Sequence, residues 1–230
     1  MRIEIGTYQN ARHLQKLKAA LQGAKIYYGQ RDPIQTFESI GASGSMFRVF
    51  RGITKPSVVY QEWAFETVQS KAFERAALSL QTQEEFEKLH SRLGRQLARY
   101  WKAETRKELK LPYIHKLLDV FVKRACQLKL AHPQMNDNLL LYGHVPMDSL
   151  VFNALDDLFS GIFPLSGLTM SHLKTESGYR FYQDLIRRLM AELSSPALYF
   201  EYYAWNLGKG GSRDSRRYGH RTTLRSASSE

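Results

Sequence analysis

The stretch TQEEFEKLHSRLGRQLARYWKAETRKEL, residues 82–109, decides the fold of this chain. It opens with the pattern of a capping box, in which the Thr82 hydroxyl and the Glu85 carboxylate satisfy free backbone N–H groups at a helix start. Apolar residues then recur every three or four positions and mark one helix face: Phe86, Leu89, Leu93, Leu97 and Tyr100. The stretch therefore predicts a long amphipathic helix that ends near Leu109 and packs on a core.

A second stripe on the same predicted helix is basic. Its members follow one another at intervals of three and four residues, which places them on one helix face: Arg92, Arg95, Arg99, Lys102 and Arg106. We call this set the cationic stripe. It could follow a phosphate backbone, where each contact releases condensed counterions, or it could be an ordinary solvated helix face.

The sequence on both sides of this helix is also helical in pattern. Breakers are sparse from residue 61 onward, and Pro112 fits the first turn of a further apolar helix. The other predicted helices are residues 61–80, 149–159, 175–193 and 196–205, whereas residues 129–146 are predicted to form a loop. These patterns predict a mainly α, multi-helix globular domain of about six to eight helices.

The two ends of the chain differ from this helical core domain, residues 61–206. Residues 1–60 combine a predicted helix at 10–21 with short β-prone segments, which predicts an irregular segment with a small sheet or an extended arm packed on the core. The β-prone segments are residues 3–8, 25–28, 46–50 and 58–60. Residues 207–230 are rich in Gly, Ser and Arg, with six cations against two carboxylates, and predict a disordered basic tail.

Composition excludes several classes of protein. A chain of 230 residues that is 43% hydrophobic and 12% aromatic can bury a core, which excludes a wholly disordered or fibrous chain. No apolar run approaches the length of a membrane span, and the polar N-terminus differs from a secretory signal. The single cysteine, Cys126, excludes an internal disulfide and a cysteine-based zinc site, and it favours a reducing, cytoplasmic location. The seven histidines are scattered without paired spacing, so we expect no metal and no other cofactor.

The charge of the chain points to a polyanionic partner. Lys and Arg number 33 against 22 Asp and Glu, which gives a formal net charge of +11. Nucleic acid is the commonest polyanion that such proteins meet, and we expect DNA rather than RNA. An acidic protein partner, as for a basic interaction or defence protein, is the other interpretation of the same charge.

A lysine and an aspartate then suggest chemistry. Lys116 falls in the first turns of the apolar helix that begins LPYIHK, and Asp148 stands directly before another apolar helix in VPMDSLV. Such an Asp caps its helix and stays ionised at the positive end of the helix dipole. A lysine desolvated at an apolar helix start can act as a nucleophile and form a Schiff base with a sugar carbon. Separately, the two residues could be an exposed lysine and an ordinary cap.

Residues 111–125 and 145–155 together resemble the core of the helix-hairpin-helix DNA glycosylase superfamily. Its members place a catalytic Lys just after a short hairpin of the Leu-Pro-Gly-Val-Gly type and a catalytic Asp at the head of a later helix, positions that Lys116 and Asp148 match. The interval between the two is most similar to the archaeal 8-oxoguanine glycosylase branch. The hairpin glycines are absent here, with Tyr113 and His115 in their place.

The resemblance implies base excision from DNA. A modified nucleotide would rotate out of the duplex, Lys116 would attack C1′, the base would leave, and β-elimination could follow. The cationic stripe and His115 would contact the backbone. Aromatic residues near Asp148 and in the last predicted helix would line the base pocket, or would pack in the core: Tyr142, Tyr202 and Trp205. A non-catalytic helical nucleic-acid-binding protein remains the alternative.

Overall fold

The computed structural model describes residues 10–34, 40, 44–159 and 167–209, and these residues form nine α-helices. The helices are α1 (Ala11–Gly29), α2 (Pro56–Gln69), α3 (Lys71–Leu78), α4 (Gln83–Thr105), α5 (Leu111–Cys126), α6 (Pro133–Tyr142), α7 (Ser149–Leu158), α8 (Glu176–Glu192) and α9 (Leu198–Lys209). Two 3₁₀ turns, Gly44–Val49 and Met170–His172, lie between them. The mainly α prediction is confirmed.

The helix that decides the fold starts as its sequence predicts. The Thr82 hydroxyl accepts from the Glu85 N–H at 3.2 Å, and the Glu85 carboxylate accepts from the Thr82 N–H at 3.1 Å, which completes the capping box. The helix ends at Thr105, earlier than predicted, because Arg106 takes a left-handed conformation with φ of 59°. Arg106 therefore lies beyond the helical part of the cationic stripe.

The prediction of β-prone segments near the N-terminus is wrong wherever the structure describes them. Residues 25–28 lie in α1, residues 58–60 lie in α2, and residues 46–49 form a 3₁₀ turn. Burial explains the difference, because Tyr28 and Tyr60 are fully buried at helix positions, where packing outweighs the preference of aromatic residues for strands. Residues 3–8 lie outside the described residues. Within the described ranges, backbone pairing of the kind found in β-sheets is limited to one isolated bridge between Asp32 and Leu128.

The predicted loop at residues 129–146 is also wrong, because it contains α6. Pro133 occupies the first turn of this helix, where its missing N–H would be unpaired anyway. Met135 and Leu139, four residues apart, are buried, and α6 packs on α3 and α5. The sequence signal of this helix was hidden by its Pro and Asn residues, which are typical of turns.

One hydrophobic core joins the helices. α5 lies against α4, α6 and α2, while α9 lies against α1 and α7. Leu17, Ala24 and Tyr28 of α1 are fully buried, so this helix contributes to the same core as the later ones. The predicted tail begins inside α9, which ends at Lys209, and residues 210–230 lie outside the described residues. None of the described helices has both the length and the apolarity to cross a membrane.

Candidate functional site

Lys116 lies at the wall of a pocket of about 240 Å³. The pocket forms where the start of α5 faces the two 3₁₀ turns, and Pro112 in the first turn of α5 fixes that helix start. Its walls are mostly aromatic or apolar, with the aliphatic hydroxyl groups of a threonine and a serine: Met46, Phe50, Tyr113, Met170, Thr169 and Ser171. A lysine, two aromatic residues and hydrogen-bonding groups therefore line one small volume.

The Lys116 amine has no polar partner within the part of the chain that the structure describes. The side chain is half-buried and forms neither a hydrogen bond nor an ion pair there. The exposed cations Arg48 and Arg51 flank the pocket residues Val49 and Phe50 in the sequence. Among the described residues the Lys116 amine therefore has no carboxylate partner, and two exposed cations adjoin pocket residues in the sequence.

Asp148 caps α7 as predicted, but the structure does not pair it with Lys116. One of its carboxylate oxygens, Oδ1, accepts from the backbone N–H groups of Leu150 at 2.9 Å and Val151 at 3.0 Å. Its charge makes a smaller contribution than that of Glu201 to the raised pKa of Lys123, which lies two turns, or about 10 Å, further along α5 than Lys116. Lys123 is a lysine that the sequence pattern did not single out.

Lys123 forms the centre of a second polar cluster. Its Nζ lies 2.5 Å from Glu201 Oε1, and the Glu201 side chain is only 4% exposed. The rings of Tyr27 and Trp205 lie 5.8 and 5.6 Å from the same Nζ, within the range of cation–π attraction. Burial alone would lower the pKa of Lys123, but the Glu201 carboxylate outweighs it and raises that pKa. Lys123 is therefore held as an ammonium ion, which has no lone pair for nucleophilic attack.

The three predicted pocket aromatics lie away from the Lys116 pocket. Tyr142 is half-buried and donates from its hydroxyl to the Gln81 carbonyl at 2.6 Å. Tyr202 contacts the Tyr27 ring at 5.4 Å between centroids, and Trp205 faces Lys123. Phe50 and Tyr113 supply the aromatic walls that the sequence interpretation assigned to the other residues.

The cationic stripe is exposed, and all its members except Arg106 lie on α4. Arg92 and Arg99 border an open groove of about 520 Å³ together with the rings of Trp63 and Tyr100. Burial and the carboxylates of neighbouring acidic residues raise the pKa of Tyr100 to about 12. At the far end of the stripe, Lys102 Nζ is paired with Glu108 at 2.9 Å. An anion could therefore bind Arg92, Arg95 and Arg99 more readily than Lys102, whose charge is already paired.

A cluster of histidines inside the helical core escaped the sequence interpretation altogether. We call His90, Asp119, His144 and Tyr179 the histidine cluster; all four are buried, and Asp119 is fully buried. The His90 Nε2 lies 2.9 Å from Asp119 Oδ1, and the Tyr179 hydroxyl donates to both Asp119 oxygens at 2.8 and 2.9 Å. The same hydroxyl lies 2.8 Å from His144 Nδ1. Three helices, α4, α5 and α8, therefore meet at the Asp119 carboxylate, and His144 joins them through the Tyr179 hydroxyl.

Glu87, Arg187 and His115 surround the histidine cluster. His144 Nε2 lies 2.7 Å from Glu87 Oε1, and Arg187 lies 3.6 Å from the same oxygen. Burial alone would raise the pKa of Glu87, but its contact with His144 outweighs it and lowers the pKa to about 2. His115 is buried, stacks on the Tyr179 ring at 3.8 Å and hydrogen-bonds Glu176 at 2.9 Å. It therefore belongs to the interior rather than to a surface that a phosphate could reach.

A signal for the histidine cluster was present in the sequence. His90 stands between Leu89 and Leu93 on the apolar face of α4, and Asp119 interrupts the apolar run LLDVF of α5. Polar residues at core-facing positions require partners, because an unpaired buried charge is costly. No protein-family model, curated protein or solved structure matches this chain. Its function must therefore be inferred from its own side chains.

Proposed function

We propose that this protein binds DNA and excises a base from it, with Lys116 as the amine that attacks C1′ of an everted nucleotide. The observation that carries the proposal is that Lys116 lines the aromatic pocket and has no polar partner among the residues that the structure describes. The resemblance of residues 111–125 and 145–155 to DNA glycosylases supplies the reaction type. Lys123, held as an ammonium ion against Glu201, is unsuited to the same attack.

The pocket suits one base. Its volume of about 240 Å³ corresponds to roughly eight water molecules at their liquid volume, the scale of a single heterocycle. Phe50 and Tyr113 line the pocket, with their ring centroids 5.2 Å apart in an edge-to-face contact. The hydroxyls of Thr169 and Ser171 hydrogen-bond each other at 2.8 Å and keep further capacity to bond a base edge. An everted nucleotide would place its sugar near the pocket mouth, within reach of the Lys116 side chain.

The chemical step transfers the sugar from the base to the lysine. The neutral Lys116 amine forms an N–C bond at C1′ while the glycosidic bond breaks, and the departing base takes the proton that the attacking nitrogen releases. The nitrogen lone pair then forms the C=N bond as the C1′–O4′ bond breaks, O4′ takes a proton from solvent, and a protonated Schiff base joins Lys116 to C1′. Borohydride reduces the C=N bond of this intermediate to a stable secondary amine.

In this proposal, exposed cations bind the phosphate backbone of the DNA. Arg48 and Arg51 flank pocket residues, and Arg92 and Arg95 are exposed on α4. Contacts between such side chains and phosphates release counterions, so binding should weaken steeply as salt rises. The tail residues 210–230 add further Arg residues to the chain.

Borohydride trapping on a duplex with an abasic site or one modified base tests the proposal. Wild-type protein should give a covalent adduct, and Lys116→Arg, which keeps the charge and removes the nucleophile, should give none. Lys110→Arg is the matched control, because Lys110 is an exposed lysine at the start of the same helix. An adduct that persists at wild-type yield in Lys116→Arg would contradict the assignment.

Asp148 is the second residue to test. The resemblance implies that its carboxylate supports the reaction, whereas its visible contacts cap α7. Asn caps a helix about as well as Asp, so Asp148→Asn should keep the fold and remove only the charge. Loss of trapping in a folded Asp148→Asn protein would assign the carboxylate a part in the chemistry, and unchanged trapping would restrict it to the cap.

Non-catalytic binding of nucleic acid is the second candidate, and one observation favours it. No hydrogen bond or ion pair joins Asp148 to Lys116 within the described part of the chain, and the contacts of Asp148 there are those of a helix cap. A protein of this kind would bind DNA with an affinity that falls steeply as salt rises. It would give no borohydride-trapped adduct on a duplex with an abasic site or a modified base.

A further inference from the structure

We propose that the histidine cluster is a binding site for a divalent first-row transition ion, with Zn²⁺ as the test ion. One donor atom each from His90, Asp119 and His144 can be chosen so that all three lie within 4.8 Å of one another, and all three residues are buried. Two imidazoles and one carboxylate are a ligand set that Zn²⁺ and its neighbours take. The Tyr179 oxygen, in contact with Asp119 and His144, is the fourth donor.

The spacing of these atoms is close to what a tetrahedral ion needs. Bonds of about 2.1 Å require donor atoms about 3.4 Å apart. The contacts of His90 with Asp119, and of Tyr179 with Asp119 and His144, measure 2.9, 2.8 and 2.8 Å. An ion that replaces the shared protons therefore requires these donors to separate by about 0.5 Å, a shift that side-chain torsions can supply.

Glu87 already occupies the position of an outer partner. A metal-bound histidine almost always donates its other ring N–H to a carboxylate or carbonyl, which fixes its tautomer. His144 turns Nε2 to Glu87 Oε1 at 2.7 Å and Nδ1 into the cluster. Gln83 in turn donates to the Glu87 carboxylate at 3.2 Å, which holds that group in place.

The site would act as a clamp between helices. His90 lies on α4, Asp119 on α5 and Tyr179 on α8, while His144 lies between α6 and α7. An ion bound by all four would join these elements at the centre of the core. Because a ligand that binds the folded state alone stabilises it by mass action, the ion should raise the unfolding temperature.

The experiment is refolding of the full chain, stripped of metal with a chelator, in the presence and absence of Zn²⁺. Wild-type protein should retain one ion per chain after dialysis and unfold at a higher temperature than the metal-free form. His90→Gln and His144→Gln should each lose the retained ion and the temperature shift. The matched control is His115→Gln, because His115 is equally buried and stacks on Tyr179 but lies outside the donor set. Retention of the ion in either cluster variant, or its absence from wild type, would overturn the proposal.

A measurement on wild-type protein alone covers the case in which the variants fail to fold. X-ray absorption of the Zn²⁺-loaded chain should show nitrogen and oxygen donors at about 2.0–2.1 Å with imidazole scattering. Co²⁺ loaded in the same way should give the intense visible absorption of a tetrahedral ion. A water-rich, six-coordinate spectrum would mean adventitious surface binding, for example near the exposed His132, and would overturn the proposal.

Discussion

Substitution of Gln183 tests how the chain positions the segment that leads to Asp148. Gln183 is 1% exposed, and its amide accepts from the Val145 N–H at 2.9 Å and donates to the Val145 carbonyl at 2.8 Å. A single side chain thus satisfies both polar backbone groups of a fully buried residue. Gln183→Met keeps the size of the side chain and leaves both groups unpaired.

The expected cost follows from those two groups. Each unsatisfied buried donor or acceptor costs about 1–3 kcal/mol. Because the greater hydrophobicity of Met offsets part of this sum, we expect the free energy of unfolding to fall by about 2–4 kcal/mol. That is a large part of the roughly 5–15 kcal/mol that stabilises a typical domain. Urea unfolding followed by circular dichroism measures it, with Gln96→Met on the exposed face of α4 as the matched control.

A second variant at the same position adds a pH signature. In Gln183→Glu the ionised carboxyl accepts from the Val145 N–H but cannot donate to the Val145 carbonyl, whereas the protonated form can. The folded state therefore raises the pKa of the introduced carboxyl, and the stability it restores is present at low pH and is lost as pH rises through that raised pKa. A loss below about 1 kcal/mol in Gln183→Met, or no pH dependence in Gln183→Glu, would refute the reasoning.

Three further predictions concern the charged groups. Burial alone would raise the pKa of Glu87, but the contact with His144 lowers it from 4.5 to about 2 in the folded state. This shift stabilises the fold above pH 4.5, and the stabilisation is lost as pH falls toward 2. The unfolding free energy of Glu87→Gln should therefore change less with pH over that interval. Glu201→Gln leaves Lys123 without its carboxylate, so it should cost about 3 kcal/mol in urea unfolding, and more than the double change with Lys123→Met. Arg95→Ala should weaken DNA binding equally for all sequences and reduce the slope of log affinity against log salt by about 0.9 in a fluorescence titration; an unchanged slope would place DNA elsewhere.

Local sequence patterns predicted local structure well. The capping box at Thr82, the Asp148 cap and the Pro112 helix start depend on residues within four positions of one another, and all three are present. The errors at Tyr28 and in α6 have a common cause: burial against distant helices outweighed the local preferences of aromatic, Pro and Asn residues.

The parts of the site that depend on helix packing could not be predicted from the sequence. His90 and Asp119 are 29 residues apart, and Lys123 and Glu201 are 78 apart, so no local spacing reveals either contact. The same reason applies to Lys116 and Asp148: each lies at its predicted helix start, but no hydrogen bond or ion pair joins them, because helix packing and not local spacing sets the distance between the two helix starts.

Peptide mapping of the borohydride-trapped adduct tests the central claim most directly. Wild-type protein would be incubated with a duplex that carries an abasic site, reduced, digested, and analysed by mass spectrometry for the lysine that carries the sugar remnant. The account predicts a single modified residue, Lys116, because this lysine lines the pocket and has no ion-pair partner in the described part of the chain. Modification of Lys123 or of scattered surface lysines, or no adduct at all, would contradict it.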